Sequence, residues 1–547
     1  MSKVAKGQGF SVTPHVGDGA VLLAFNLEKK LTTHLAGFTI QCHPPTGAPY
    51  FLKNRLNFQK GLTNRKKLAS TDYVGSDQAP FQKFQWIHFP PQGPGVYQYI
   101  VYATYFKNGA LKPGPKITVT VDLRRRAFSD LELGFTRAYI SAQAYVDRYK
   151  NKDIRPYPKS MDFDTTPYQD QYQWLGAHAR KLVFQFLDEC LQDPLISVDV
   201  FAYDFDEPDI IRALCKMGSR VRVFQDDSAL HTGSKALEPK TVATLKAAGV
   251  RVKLGHFDRF AHNKVMIQKK NGKATKVLTG SANFSVRGLY VQANSILVFN
   301  DPIVANLYEQ AFEQAFTHPD QFKSSSIAAR WYNLKRPQSF PLSLSFAPHP
   351  TPFTLHEISK AIESARSSVL FAVMQMGGQG KVLRDLENLG EREQIFSLGI
   401  IESTDQLRLF KPGIGHAEVA SFDFLQGNLP GPFKPEWSGG VGEVIHHKFI
   451  VCDFNDRNPV VFCGSSNLAQ GGETSNGDNL IAIYNREIAT CYAVEAVRLF
   501  DHYRFRNLHE KSTTRFPLIL KSTDEWVKPY YDPASIKFRE RELFSRA

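Results

Sequence analysis

The chain of 547 residues has little with which to build a metal centre or a disulfide framework. Its six cysteines (Cys42, Cys190, Cys215, Cys452, Cys463 and Cys491) are scattered, and none forms a C-x-x-C pair or a short zinc spacing. Several sit inside apolar runs, so buried free thiols are expected, with no metal or other cofactor. Long apolar runs are also missing. None approaches the roughly 20 residues that a membrane-spanning helix needs, and the N-terminal MSKVAKGQGFSVTPH has no apolar signal core. The expected address is therefore the cytoplasm. Acidic side chains are the scarcer charge: 53 Asp and Glu face 67 Lys and Arg, a net charge of +14. That excess favours polyanionic partners, either nucleic acid or an anionic phospholipid membrane. The apolar fraction of 42% is ordinary for a globular protein. The length allows roughly two to four domains.

What is present is a repeated set of residues that can do phosphoryl chemistry. His446, Lys448 and Asp453 open the stretch HHKFIVCDFNDRNPVVFCGSSNLAQGGETSNGDN, which then reaches Gly464, Ser465 and Asn467. Upstream, His262, Lys264, Gly280, Ser281 and Asn283 stand at the same relative positions as His446, Lys448, Gly464, Ser465 and Asn467. Agreement at five places is an internal repeat of one functional element. Each copy reads as strand, loop, strand, and on a strand His and Lys two apart share a face. Two imidazoles can attack phosphorus and protonate a leaving oxygen near neutral pH. Two Lys and two Asn can stabilise charge on the non-bridging oxygens.

The pattern H-x-K-x4-D followed by G-S-x-N resembles that of the phospholipase D superfamily, over residues 175–505. The resemblance implies two α/β halves packed as a pseudo-dimer, with both motifs meeting at one central site. It implies phosphodiester cleavage through a phosphohistidine, with His262 as nucleophile and His446 as the acid. The complete second motif and Asp478 leave the reverse assignment open. His256 and His447 read as bystanders. The superfamily's Asp position is Asp453 in the second copy and Lys269 in the first, and that Asp usually supports local structure. Asn294 and Asp478 hold matching places after the two G-S-x-N turns, where the superfamily often sets an acid or amide to orient a catalytic His. Ser281 and Ser465 are expected to assist. The superfamily includes nucleases, phospholipases and phosphatidyl transferases. Charge and the missing membrane signals favour a nuclease cleaving DNA or RNA; a phospholipase D and a degenerate nucleic-acid-binding scaffold are the alternatives.

Three domains are expected: residues 1–125, 126–345 and 346–547. In the first, short strand-like runs at 21–25, 38–40, 97–102 and 117–121 alternate with Pro/Gly clusters and predict an all-β sandwich. Its ending resembles the last hairpin of a fibronectin-type-III or immunoglobulin-like domain. Lys53, Arg55, Lys60, Arg65, Lys66 and Lys67 lie among Phe51 and Phe58. They suit a single-stranded nucleic acid or form a solvated face over core aromatics. Arg124, Arg125 and Arg126 mark the boundary. From 127 the chain turns α/β: residues 131–174 read as irregular, and an alternation of strands and helices follows, predicting a mostly parallel sheet. Residues 323–350 read as a linker before the pattern restarts. The Gly/Pro-rich insertion 426–442 enters the second motif and reads as a substrate-selecting or a merely variable loop. The tail after 505 is expected to pack back on the core.

Overall fold

The computed structural model describes residues 4–64, 70–124, 127–137, 142–336, 338–374, 380–401, 417–421 and 445–546. The N-terminal part is a sandwich of two antiparallel four-stranded sheets. One runs Ala5–Gly7, Phe10–Val16, Val21–Leu27 and Gln85–His88; the other runs Ala110–Asp122, Val96–Lys107, Leu35–His43 and Tyr50–Phe51. The period-two burial of Val96–Lys107 turns Tyr97, Tyr99 and Val101 inward against Phe25 and Phe38. The tail closes this core. Val527 and Tyr530 are buried in it, and the Trp526 indole donates to Leu35 O at 3.0 Å. Of the basic residues read as a possible nucleic-acid face, Arg55 stacks on Phe505, its guanidinium carbon 4.8 Å from the ring centroid. Phe58 packs edge-on to Phe106. Arg65, Lys66, Lys67, Arg125 and Arg126 lie outside the described residues.

The two α/β halves repeat one strand order. In the first sheet it is Leu131–Phe135, Ser295–Phe299, Lys273–Gly280, Val265–Lys270, Ile196–Ala202, Val221–Gln225 and Arg251–Leu254. In the second, after an extra edge strand Tyr332–Leu334, it is Leu342–Phe346, Asn479–Ile483, Val460–Gly464, Lys448–Cys452, Ser368–Val373, Phe396–Ile401 and Ala417–Ser421. One continuous apolar cluster joins the sheets, including Leu297 and Val277 from the first and Val461 and Ile481 from the second. It extends into the sandwich through Ala20, Leu22 and Ala24. No helix among the described residues is long and apolar enough to cross a membrane. The six cysteines form no disulfide among the described residues, and all but the half-buried Cys215 are buried.

Three expectations are corrected. The sheets are mixed, and only the last three strands of each order run parallel. The motif strands are antiparallel because a hairpin joins them: Asn271 and Gly272, at φ 51° and 76°, form the two-residue turn between Val265–Lys270 and Lys273–Gly280. Residues 323–350 are not a linker. Leu342–Phe346 is a fully buried strand paired with Asn479–Ile483, its serines facing one side and its apolar residues the other. Within 131–174, Leu131–Phe135 is an edge strand on Ser295–Phe299, and Gln169–Gln192 is already helical at Trp174.

Candidate active site

Both H-x-K histidines stand at the mouth of a strand, where the two sheets meet. The halves are cross-linked there by backbone: His446 N donates to Ala293 O at 3.2 Å, and Gly477 N donates to Phe260 O at 2.7 Å. The first sets His446 against the residue preceding Asn294, and the second sets the residue preceding Asp478 against Phe260, two residues before His262. The side chains follow. His262 Nδ1 donates to Asp478 Oδ1 at 2.8 Å, and His446 Nδ1 donates to Asn294 Oδ1 at 2.9 Å. Each histidine is thus oriented by the opposite half. Asp478, which in the sequence left the reverse assignment open, therefore contacts His262.

Ser281 and Ser465 support the orienting residues. The Ser281 hydroxyl donates to Asn294 Oδ1 and the Ser465 hydroxyl to Asp478 Oδ1, both at 2.8 Å. Each serine also accepts a backbone N–H from the start of the neighbouring strand, from Ser295 at 3.0 Å and Asn479 at 2.9 Å. The glycines before them admit no side chain. A Cβ on Gly280 would lie 2.2 Å from Ser295 O, and one on Gly464 would lie 2.5 Å from Asn479 O, with φ at 145° and 136°. The Asn294 amide is fixed by donating its Nδ2 to Gly288 O at 2.8 Å. Lys264 and Lys448 are buried and fold back on their own motif: each ammonium donates to the carbonyl of its histidine, Lys448 at 2.9 Å. Lys264 Nζ also sits 4.7 Å over the Tyr203 ring. Asn283 Nδ2 donates to Asp204 Oδ2 at 2.7 Å, while the buried Oδ1 atoms of Asn283 and Asn467 accept no hydrogen bond from any of the described residues.

Residues 187–316 match the family described as "Cardiolipin synthase, PLD-like domain". Over 127 residues the chain is 28% identical to a protein of Xenopus tropicalis named "Mitochondrial cardiolipin hydrolase". The alignment covers 23% of this chain and 56% of that protein, so the chain spans little more than half of the curated relative's length. Residues 187–316 are thus similar to the phospholipase D-like family. Among solved structures, a phospholipase D family member, Nuc, from Salmonella typhimurium is 24% identical with a TM-score of 0.21, covering 25% of this chain and 86% of that one. The phosphatidylserine synthase of Haemophilus influenzae is 12% identical with a TM-score of 0.39, covering 66% and 90%.

The phospholipase D motifs here hold two neutral imidazoles. Burial pulls the His262 pKa down to about 4; the Lys264 ammonium adds to this, and Asp478 opposes it. Burial, then Lys448, Lys264 and His262, holds His446 well below the usual histidine range. Asp478 stays ionised because His262, Lys264 and the Ser465 hydroxyl outweigh its burial. A carboxylate only accepts, so His262 carries its proton on Nδ1 and its Nε2 lone pair is available. Asn294 Oδ1 imposes the same tautomer on His446.

Other residues of the motif lie elsewhere. Asp453 is at the far end of strand Lys448–Cys452, where its carboxylate accepts the N–H groups of Arg366, Ser367 and Ser368. At the matching place Lys269 pairs with Asp199 at 2.6 Å, away from the histidines. His447 turns inward to Glu495 at 3.0 Å, and the exposed His256 pairs with Asp227. The insertion 426–442 lies outside the described residues. Sequence reasoning missed Tyr203, Asp204, Asp226 and His231. The first two close the strand Ile196–Ala202 beside His262, and a polar pair at the end of a predicted strand was the only signal.

Proposed function

We propose that the chain is a phosphodiesterase that works through a phosphohistidine without a metal, with His262 as nucleophile and His446 as general acid. One observation carries the assignment: the carboxylate of Asp478 serves His262, while His446 has only the neutral amide of Asn294. Phosphorylation of His262 Nε2 makes its ring cationic, and an adjacent carboxylate stabilises that cation where an amide cannot. His446 then gives a proton to the leaving oxygen. Its low proton affinity in the empty site rises when a phosphodiester anion enters, because opposite charge favours the protonated ring. The second half of the reaction reverses the roles: His446 takes a proton from water, whose oxygen attacks phosphorus, and the His262–phosphorus bond breaks. Lys264, Lys448, Asn283 and Asn467 hold the non-bridging oxygens.

The substrate is read as nucleic acid, DNA or RNA, because the net charge of +14 suits a polyanion. A phospholipid is the second reading, favoured by the names of the matching family and of the Xenopus tropicalis relative. The test is one panel: purified protein against labelled single- and double-stranded DNA, RNA, and vesicles of phosphatidylcholine or cardiolipin, with EDTA present. Nucleic-acid cleavage that His262→Ala and His446→Ala each abolish supports the first reading. Lipid hydrolysis with every nucleic acid intact replaces it with the second. Turnover that survives either substitution ends the single-site reading.

A further inference from the structure

The first half carries a second buried cluster of titratable groups behind its motif. His231, on a short turn of helix at Ala229–Thr232, lies between two carboxylates. Its Nδ1 donates to Asp226 Oδ2 at 2.6 Å and its Nε2 donates to Asp204 Oδ1 at 3.0 Å. Two acceptor-only partners require a proton on both ring nitrogens, and the two carboxylates, with Glu238 nearby, outweigh burial to hold the His231 pKa up at about 10. Asp204 and Asp226 are both kept ionised. The ring stands edge-on to Tyr203, centroids 4.3 Å apart, and the same Tyr203 meets His262 at 4.7 Å.

The outer ends of this ion triplet both touch the phosphoryl machinery. Asp226 Oδ1 accepts the backbone N–H of Ala261, the residue before His262, at 2.5 Å. Asp204 Oδ2 accepts the Asn283 amide at 2.7 Å. We infer that Asp204, His231 and Asp226 form a positioning relay that holds the Asn283 amide and the chain entering His262 in one fixed relation. The inference rests on the phosphodiesterase reading above.

The physical need is specific. An amide can turn over and exchange its oxygen for its N–H groups, and among the described residues Asn283 Oδ1 has no partner that would resist this. A carboxylate cannot donate, so Asp204 admits only the orientation in which Nδ2 faces it. The His231 cation in turn fixes Asp204, whose side chain is 32% exposed and would otherwise swing towards water. The three groups sum to one negative charge, and the charges of Arg287 and Lys264 help to keep Asp204 ionised. The second half is built differently at this register position. Met374 takes the place of Tyr203, its sulfur 3.8 Å from Lys448 Nζ, and Gln375 follows in the sequence where Asp204 stands in the first half. Asymmetry of this kind suits a site whose two histidines do different work.

The test is a double-mutant cycle on the full chain, with bis(p-nitrophenyl) phosphate as substrate and thermal melts to establish folding. Asp204→Asn keeps the shape but offers Asn283 either a donor or an acceptor. It is expected to lower kcat by about 10- to 100-fold with KM changed by less than about threefold, since misplacement of a reacting arrangement costs that much. In an Asn283→Ala background the same substitution is expected to cost less than about threefold, because its route of action is already gone. His231→Gln, which can bond to both carboxylates without charge, is expected to lower kcat by about tenfold. Equal losses from Asp204→Asn in both backgrounds, or an unchanged kcat in both Asp204→Asn and His231→Gln, overturn the relay. The same cycle is read by calorimetry with inorganic phosphate. A wild type that turns over no diester yet shows coupling between Asp204 and Asn283 in phosphate binding would sink the proposed reaction and leave the relay standing.

Discussion

At the scale of single residues, the informative contact is the one between Asp478 and His262. Sequence position ties Asp478 to the second motif, yet its carboxylate lies 2.8 Å from the ring of the first. A charge there both fixes the tautomer and favours a cationic, phosphorylated ring. Asp478→Asn keeps the volume and loses the charge, and its amide can present a donor to a ring nitrogen that must itself donate. Turnover is expected to fall by about 100-fold or more, as for other histidines robbed of an orienting carboxylate. Ser465→Ala, which removes only one hydrogen bond to that carboxylate, is expected to cost about tenfold, or about 1.4 kcal/mol of barrier. Steady-state rates on one diester check both, and an Asp478→Asn enzyme at wild-type speed contradicts this role.

At the scale of elements, the motif is a hairpin whose glycine is as necessary as its histidine. Gly464 ends the strand Val460–Gly464 at φ 136°, with Asn479 O where a Cβ would go. Gly464→Ala is therefore expected to cost at least about 1–2 kcal/mol of stability through backbone strain alone. It should also slow turnover, because Ser465 and Asp478 hang from the displaced backbone. A melting temperature equal to wild type would contradict this. The elements also show what the sequence could reveal. The repeat was legible because the same side chains recur at the same spacing in both halves. The sandwich strands were legible from their two-residue period. The antiparallel pairing of the motif strands was carried by a single Asn271–Gly272 pair, easily lost beside helices that suggest parallel crossovers. Leu342–Phe346 was hidden because its alternation of Leu and Ser lies in a Ser/Pro-rich stretch, where the serines are buried by the neighbouring layer rather than by any local signal. The exchange of Asp478 and Asn294 between the halves was not readable at all, since it is a property of how two domains face each other.

At the scale of the whole molecule, burial of ionisable groups sets the response to acid. Seven buried or partly buried histidines have depressed pKa values, with burial the first cause of each. His15, His262 and His349 are pulled down to about 4 and His88 to about 3, and His446, His447 and His502 are also lowered. Each stays neutral in the fold while its unfolded counterpart takes a proton below about pH 6.5. Their contribution is present above that pH and is lost as pH falls towards the folded values. Glu207, Glu238 and Glu473, raised to about 7 chiefly by burial, act in the opposite sense over the same interval. Seven groups against these three and His231, whose raised pKa acts in the same opposite sense, leave the lowered histidines dominant, so the melting temperature is expected to fall between pH 7 and pH 5. A flat or rising profile over that interval would contradict the burial of these rings. The tail adds a second whole-molecule constraint. Because Val527 and Tyr530 complete the sandwich core, removing residues 1–123 strips a cover from the C-terminal segment and does not simply delete an appendage.

The central claim is that two half-motifs make one site in which His262 bears the phosphoryl group and His446 moves the protons. Its most direct test is to trap the intermediate. The His446→Ala enzyme, mixed with bis(p-nitrophenyl) phosphate, retains a nucleophile and faces a leaving group that needs no acid, but has no base to activate water. A covalent phosphoryl adduct should accumulate, and peptide mass mapping should place it on His262. No adduct should form in His262→Ala under the same conditions. An adduct on His446 of the wild-type or His262→Ala enzyme, or burst-free turnover by His262→Ala, would contradict the account.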